Sequence, residues 1–170
     1  GSSTGIHNMS SSSAHTSLTG ASYYGGAGHT VGTAGDVNGD RYDDIIVSAP
    51  NHVHWQTGGE VFIVHGSASG ISDPSLANAD TILSDVYTDG LEYGLGWRIQ
   101  TAGDINGDGF DDVIVLDESK DLHVLYQGPD GSFNDVDYGS VSGSSQWGMC
   151  VADFDNDGHK DVFSGGSYDG

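Results

Sequence analysis

Residues 34–47 read AGDVNGDRYDDIIV, and the same order returns as AGDINGDGFDDVIV at residues 102–115 and, more loosely, as ADFDNDGHKDVF at residues 152–163. A glycine-bearing segment leads into each copy, at His29 to Ala34, Trp97 to Ala102 and Trp147 to Ala152. A β-branched run leaves the first two, at Ile45 to Val47 and Val113 to Leu116. Val and Ile suit a pleated, half-buried surface, whereas clustered Asp, Asn and Gly bend the chain. Each copy therefore predicts two short strands joined by an acidic loop.

Outward from these hairpins the order stays constant. A third strand is expected at Glu60 to His65 and again at Asp121 to Tyr126, and a weaker fourth near Thr81 to Ser84. The segment Gly1 to Ile6 returns as Gly66 to Ile71, so the opening Gly-Ser stretch reads as the end of a repeat unit. Each unit is then a four-stranded antiparallel meander of the kind that forms one blade of a β-propeller. The expected fold class is all-β, a propeller fragment with two complete blades and a partial blade at each end. Residues 1–26 would end one blade, 27–90 and 91–143 would form two, and 144–170 would open a fourth with a hairpin. A stack of so few blades leaves strand edges and apolar faces uncovered, so the expectation is a longer parent chain or self-association through open blade edges.

The 170 residues include 28 Gly, only 3 Pro and 35% hydrophobic residues, which favours short strands and tight turns over long helices. Acidic residues outnumber basic ones 25 to 4, a formal net charge of −21, so nucleic acid is excluded as a partner for want of charge to neutralise phosphates. No apolar run approaches the roughly 20 residues of a membrane span, so direct membrane insertion is not expected. One cysteine, Cys150, admits no intrachain disulfide and is expected to be a small buried residue.

Nearly half of the acidic residues fall in the three loops, and their spacing is that of a cation cage. Oxygen donors occupy positions 1, 3, 5, 7 and 9: Asp36, Asn38, Asp40, the carbonyl of Tyr42 and Asp44 in the first loop. The second has Asp104, Asn106, Asp108, Phe110 and Asp112, and the third Asp153, Asp155, Asp157, His159 and Asp161. Alternate positions of a tightly curled loop converge on one point, and Ca2+, taking about six to eight oxygens, fits such a donor set better than Mg2+. Three Ca2+ sites are expected. Gly109 and Gly158 supply the sharp turn at position 6, where the first loop has Arg41. That residue, and three carboxylates against four in the third loop, mark the first site as the weakest. An EF-hand would need Glu at position 12 and flanking helices; Val47, Val115 and Ser164 stand there instead.

With these loops, Ala27-Gly28 running through to Gly35-Asp36 and the closing Ser48-Ala49-Pro50 resemble the FG-GAP repeats of the integrin α-subunit propeller. The Phe position of the motif holds Ala27, Leu95 and Trp147, and the third repeat is one residue shorter before its first Asp. The resemblance implies a seven-bladed extracellular or cell-surface propeller whose calcium sites stiffen one face while partners bind elsewhere.

Other motifs carry less. Gly1 to Gly5 fits the hydrolase pattern G-x-S-x-G, yet its internal copy puts Ala68 at the nucleophile position. His52 and His54 lack a third metal ligand nearby, Asn8-Met9-Ser10 is a glycosylation sequon, and Tyr23, Tyr24 and Trp55 suit packing between blades. No nucleophile with its base, and no paired carboxylates outside the loops, argue for catalysis. The expected function is a non-enzymatic extracellular module that binds a protein or glycan, adheres or assembles. An ancillary propeller of a larger secreted enzyme and a surface-filament subunit are the alternatives.

Overall fold

The computed structural model describes residues 16–21, 25–50, 59–71, 73, 75–84, 94–117, 121–141 and 146–166. Among the described residues it is all-β, with a 3-10 turn at Leu76–Asn78. The first sheet has the order β1-β2-β3-β4, with β1 at Val31–Gly35, β2 at Asp44–Ala49, β3 at Glu60–Val64 and β4 at Thr81–Ser84. The second has the order β5-β6-β7-β8, at Arg98–Gly103, Asp112–Leu116, Asp121–Gln127 and Phe133–Ser140. A third, two-stranded sheet pairs β9 (Gln146–Ala152) with β10 (Asp161–Gly166). The first two are antiparallel meanders and the third is an antiparallel hairpin; among the described residues none closes on itself, and β1, β5 and β9 lie side by side as the inner strands of a partial propeller.

Alternation along β2 and β3 explains how the sheets stack. Ile46 opposite Ile63, and Ser48 opposite Val61, turn one face of the first sheet toward the second. There Ala34, Val37, Ile46, Val61 and Ile63 meet Ile99, Val113, Val115 and Leu125 in one buried cluster. Burial of each such aliphatic side chain contributes about 1.5–3 kcal/mol, so this inter-sheet layer is the principal core. The opposite face, with Val47, Phe62 and Val64, is covered by Leu76 of the 3-10 turn and by Leu18 and Ile71.

The repeat motif has a mechanical meaning at this interface. Gly94 and Gly96 enter the second sheet directly against Pro50 and Ser48, at the end of β2 and just past it. A Cβ on Gly94 would lie 2.1 Å from the Pro50 carbonyl oxygen, and one on Gly96, at φ +88°, would lie 2.8 Å from the Ser48 Cβ. Leu95 is buried in the inter-sheet cluster between them. His29 and Trp97 stack above the same seam with ring centroids 4.8 Å apart.

The one-residue shortening of the third repeat is a missing β-bulge. In β1 and β5 the register shifts between Thr33 and Gly35 and between Thr101 and Gly103, with Gly35 and Gly103 left-handed at φ +78° and +69°. In β9 Ala152 pairs with Asp161 without a shift. Cys150 departs from expectation: it is exposed. It pairs across from Phe163, itself 67% exposed, on the face of β9 and β10 that corresponds to the Ile46 face of the first sheet. Among the described residues no further sheet covers that face. The Gly1 to Ile6 copy, Asn8, Tyr23, Tyr24, His52, His54 and Trp55 lie outside the described residues.

Candidate metal centres

The three acidic loops join β1 to β2, β5 to β6 and β9 to β10, and they share one hydrogen-bond plan. In the first, Oδ1 of Asp36 accepts the Asp40 N–H at 2.9 Å and Oδ2 accepts that of Arg41 at 2.8 Å. The Asn38 oxygen accepts the Asp40 N–H at 2.9 Å, and Asp40 accepts that of Tyr42 at 2.9 Å. In the second, Asp104 accepts from Gly107, Asp108 and Gly109, Asn106 from Asp108, and Asp108 from Phe110. In the third, Asp153 accepts from Asp157 and Gly158, Asp155 from Asp157, and Asp157 from His159. Positions 3 and 5 each reach the backbone N–H two residues on with a short Asx side chain, and position 1 accepts from those three to five residues on, so all three are turned inward.

Two left-handed residues make the curl possible. Position 6 is left-handed in every copy, at φ +76° for Arg41, +94° for Gly109 and +91° for Gly158. Position 4 is as well: Gly39 at +74°, Gly107 at +80° and Asn156 at +60°. Ligand spacing alone does not mark position 4, although Gly, Gly and Asn are the residues that tolerate this backbone best and the sequence carries them there.

The ninth acid has a second task. Asp44 and Asp112 are fully buried at the start of β2 and β6. Oδ2 of Asp44 accepts the Val37 N–H at 3.0 Å and Oδ1 that of Gly66 at 2.8 Å. Asp112 repeats the pair with Ile105 at 3.1 Å and Gln127 at 3.0 Å. Burial is the main influence on both carboxyls and pushes them above the usual carboxylate range, against the lowering pull of these N–H donors. In the third loop Asp161 is exposed and accepts the Phe154 N–H at 3.0 Å.

The donor set fits a hard cation. Carboxylate oxygens of Asp153, Asp155 and Asp161 lie within 4.8 Å of one another. Two oxygens on a single Ca2+, each at about 2.3–2.6 Å, can stand up to about 5 Å apart. The third loop therefore gathers positions 1, 3 and 9 around one point, and its acids could hold a metal ion. The first two loops carry an Asn at position 3 and the same inward-turned plan.

The loops also touch their neighbours. Oδ2 of Asp111, at position 8 of the second loop, accepts the Asp36 N–H of the first at 3.0 Å. The Phe110 ring lies 3.5 Å from the point where a Cβ on Gly39 would stand. Ligand spacing gave no role to position 8, although Asp43 and Asp111 add an acid there beyond the ligand register.

Beside the second loop, a cleft of about 390 Å³ opens between the second and third sheets, lined in part by Ile114, Tyr126, Tyr138 and Lys160. The Tyr126 and Tyr138 hydroxyls are 2.8 Å apart, and this hydrogen bond, with burial, pushes the Tyr126 phenol up to about 12. Among the described residues no helix is long and apolar enough to cross a membrane.

Comparison with known proteins bears on the same segments. The FG-GAP repeat model matches residues 27–64, and the FG-GAP-like repeat model matches residues 104–164. The integrin alpha pat-2 of Caenorhabditis briggsae is 30% identical over 98 residues, covering 58% of this chain and 8% of the relative. Integrin alpha-IIb of Mus musculus is 34% identical over 98 residues, covering 58% of this chain and 9% of the relative. Integrin alpha-5 of Xenopus laevis is 31% identical over 121 residues, covering 69% of this chain and 11% of the relative. The chain thus spans only about a tenth of the length of these relatives. With FG-GAP family models matching β1 to β3 and β6 into β10, and integrin alpha relatives at 30–34% identity, the chain belongs to the integrin-α-like FG-GAP repeat proteins.

Proposed function

We propose that the chain is a calcium-stabilised, non-enzymatic propeller module that acts outside the cell or at its surface, in protein or glycan binding, adhesion or assembly. The observation that carries this reading is the threefold recurrence of one loop geometry, with acids or amides at positions 1, 3 and 5 turned inward. Ca2+ would be held by Asp36, Asn38, Asp40, Tyr42 and Asp44, by Asp104, Asn106, Asp108, Phe110 and Asp112, and by Asp153, Asp155, Asp157, His159 and Asp161. Tyr42, Phe110 and His159 would contribute backbone carbonyls. The ion would supply charge neutralisation to a chain of net charge −21, and would fix each hairpin at the point where its sheet begins.

Calcium bound to the native loops alone stabilises by mass action, about 2.7 kcal/mol at a hundredfold excess over the dissociation constant of a single site. Thermal unfolding with calcium and then with chelator tests the reading. The melting midpoint is expected to rise by several degrees in calcium, and an unchanged midpoint would overturn it.

Assembly through the third sheet is a second reading. Phe163, 67% exposed, and Val162, 39% exposed, lie on β10, which pairs on one side only among the described residues. Open apolar strand edges favour pairing with another chain. Sedimentation of the chain in calcium, compared with a Phe163→Lys variant, distinguishes a self-associating species from a monomer.

A further inference from the structure

The contact between Asp111 and Asp36 joins two loops 75 residues apart in sequence. Asp36 is position 1 of the first loop, and the N–H that Asp111 holds belongs to the residue whose carboxylate organises Asp40 and Arg41. Asp111 in turn stands between Phe110 and Asp112, positions 7 and 9 of the second loop. The fit is close: a Cβ on Gly35 would lie 2.0 Å from Oδ2 of Asp111, so only glycine leaves room for this carboxylate. Position 8 of the third loop stands against the second loop in the same way. There the residue is Lys160, whose Cε lies 3.9 Å from the place of a Cβ on Gly103. A lysine has no acceptor to offer the Asp104 N–H.

We propose that Asp111 is a positioning residue that couples the first two calcium loops, so that calcium in the second loop raises the affinity of the first. The inference rests on the calcium reading above. A cation that fixes Phe110 and Asp112 also fixes the backbone of Asp111 between them. The carboxylate then holds Asp36 in the conformation that its own loop needs. The ordering of the first loop is thus partly complete before its ion arrives, which lowers the cost of binding there. Repulsion between two bound cations opposes this, but the loops are exposed and salt screens such charges over about 8–10 Å. By linkage the effect is reciprocal: calcium in the first loop raises the affinity of the second by the same factor. Lys160 leaves the second and third loops uncoupled.

Calcium titration of the full chain, followed through the amide NMR signals of Arg41, Gly109 and Gly158, reads the three loops separately. Disabling the second loop with Asp108→Ala, or with Asp108→Asn should the first variant not fold, is expected to move the Arg41 midpoint to about fivefold higher calcium. In an Asp111→Ala background the same change leaves the Arg41 midpoint where it was, whereas Asp111→Asn, which keeps an acceptor oxygen, restores the shift. Disabling the third loop with Asp157→Ala leaves the Gly109 midpoint unmoved.

An Arg41 midpoint indifferent to Asp108 would overturn the coupling while calcium binding stands. A shift that survives Asp111→Ala, or an equal shift of Gly109 on loss of Asp157, would show that something other than the carboxylate carries it. No response in any loop would overturn the calcium reading and the coupling together.

Discussion

Asp44 accepts the Gly66 N–H at 2.8 Å, tying the first acidic loop to the end of β3, 22 residues further along the chain. Its other oxygen holds Val37 inside the loop, and the carboxylate is fully buried. Removing the side chain leaves two N–H groups without their charged acceptor, each worth about 1–3 kcal/mol. Asp44→Ala is therefore expected to cost about 2–5 kcal/mol even in chelator, where no metal contributes. Asp40→Ala, at an exposed ligand position, should matter little in chelator and substantially in calcium. Urea unfolding in both conditions separates the two classes of acid. Equal losses in chelator would refute the division.

Gly94 and Gly96 make the sharpest steric claim at the sheet interface. A methyl group on Gly94 would overlap the Pro50 carbonyl oxygen, and backbone can yield only by opening the seam between the first two sheets. Gly94→Ala should destabilise by more than about 2 kcal/mol, with or without calcium. Gly131→Ala serves as the comparison: it has a positive φ of 78°, which Gly94 does not, and nothing within 4 Å of its would-be Cβ. Its cost should stay near the 1–2 kcal/mol or so of left-handed strain alone. Denaturation of the two variants side by side tests the steric part of the argument.

The buried carboxyls set a direction for pH dependence. Asp44 and Asp112 titrate above their ordinary value of 3.8 in the folded chain, mainly through burial. A raised carboxyl favours the folded state fully below its unfolded value, and this contribution is lost as pH rises through the folded value. Asp73 and Asp130, lowered by hydrogen bonds from their own turns, act in the opposite sense but are fully exposed. The metal-free chain should therefore gain stability on acidification from about pH 7 toward pH 4.5, helped by the relief of its excess negative charge. In calcium the trend should reverse, because protons displace the ion from the same loops. Urea midpoints across this range, with chelator and with calcium, are expected to converge at the acid end. A metal-free chain that weakens steadily with acidification would contradict the burial argument.

The sequence carried the hairpins and the ligand register because both depend on local order. Alternating donors and the β-branched runs around Ile46 and Ile114 are periodic signals, and β2 and β6 formed around them. β8 was harder to locate: FNDVDYGS has few strand formers, and its pairing with β7 comes from packing at the sheet edge rather than from its own composition. The exposure of Cys150 has a related cause. Its β9 neighbourhood reads as core, but burial depends on whether another sheet lies against that face. The bond from Asp36 to Asp111 was invisible to spacing, since it joins two repeats through the stacking of their sheets.

Arg41 offers the most direct test of how backbone strain limits the first loop. It holds φ at +76°, where its counterparts are Gly109 and Gly158. A side chain in this region costs about 1–2 kcal/mol, and the strain is present whether or not metal is bound. Its N–H nevertheless donates to Asp36 at 2.8 Å, so the loop needs this conformation to turn its first acid inward. Arg41→Gly relieves the strain but also loosens the unfolded chain, which offsets part of the gain by about 0.5–1 kcal/mol. The expected net effect is a modest rise in stability in chelator, with a tighter first site, since removing a cationic side chain strengthens the attraction for calcium. Asn156→Gly is the control: Asn tolerates φ +60° well, so relief there should be smaller. Urea unfolding together with the calcium midpoint of the residue 41 amide signal decides the matter. No gain in stability in chelator after Arg41→Gly would refute the strain, and a first loop that binds no tighter would show that its weakness lies in its ligands rather than in the Arg41 charge.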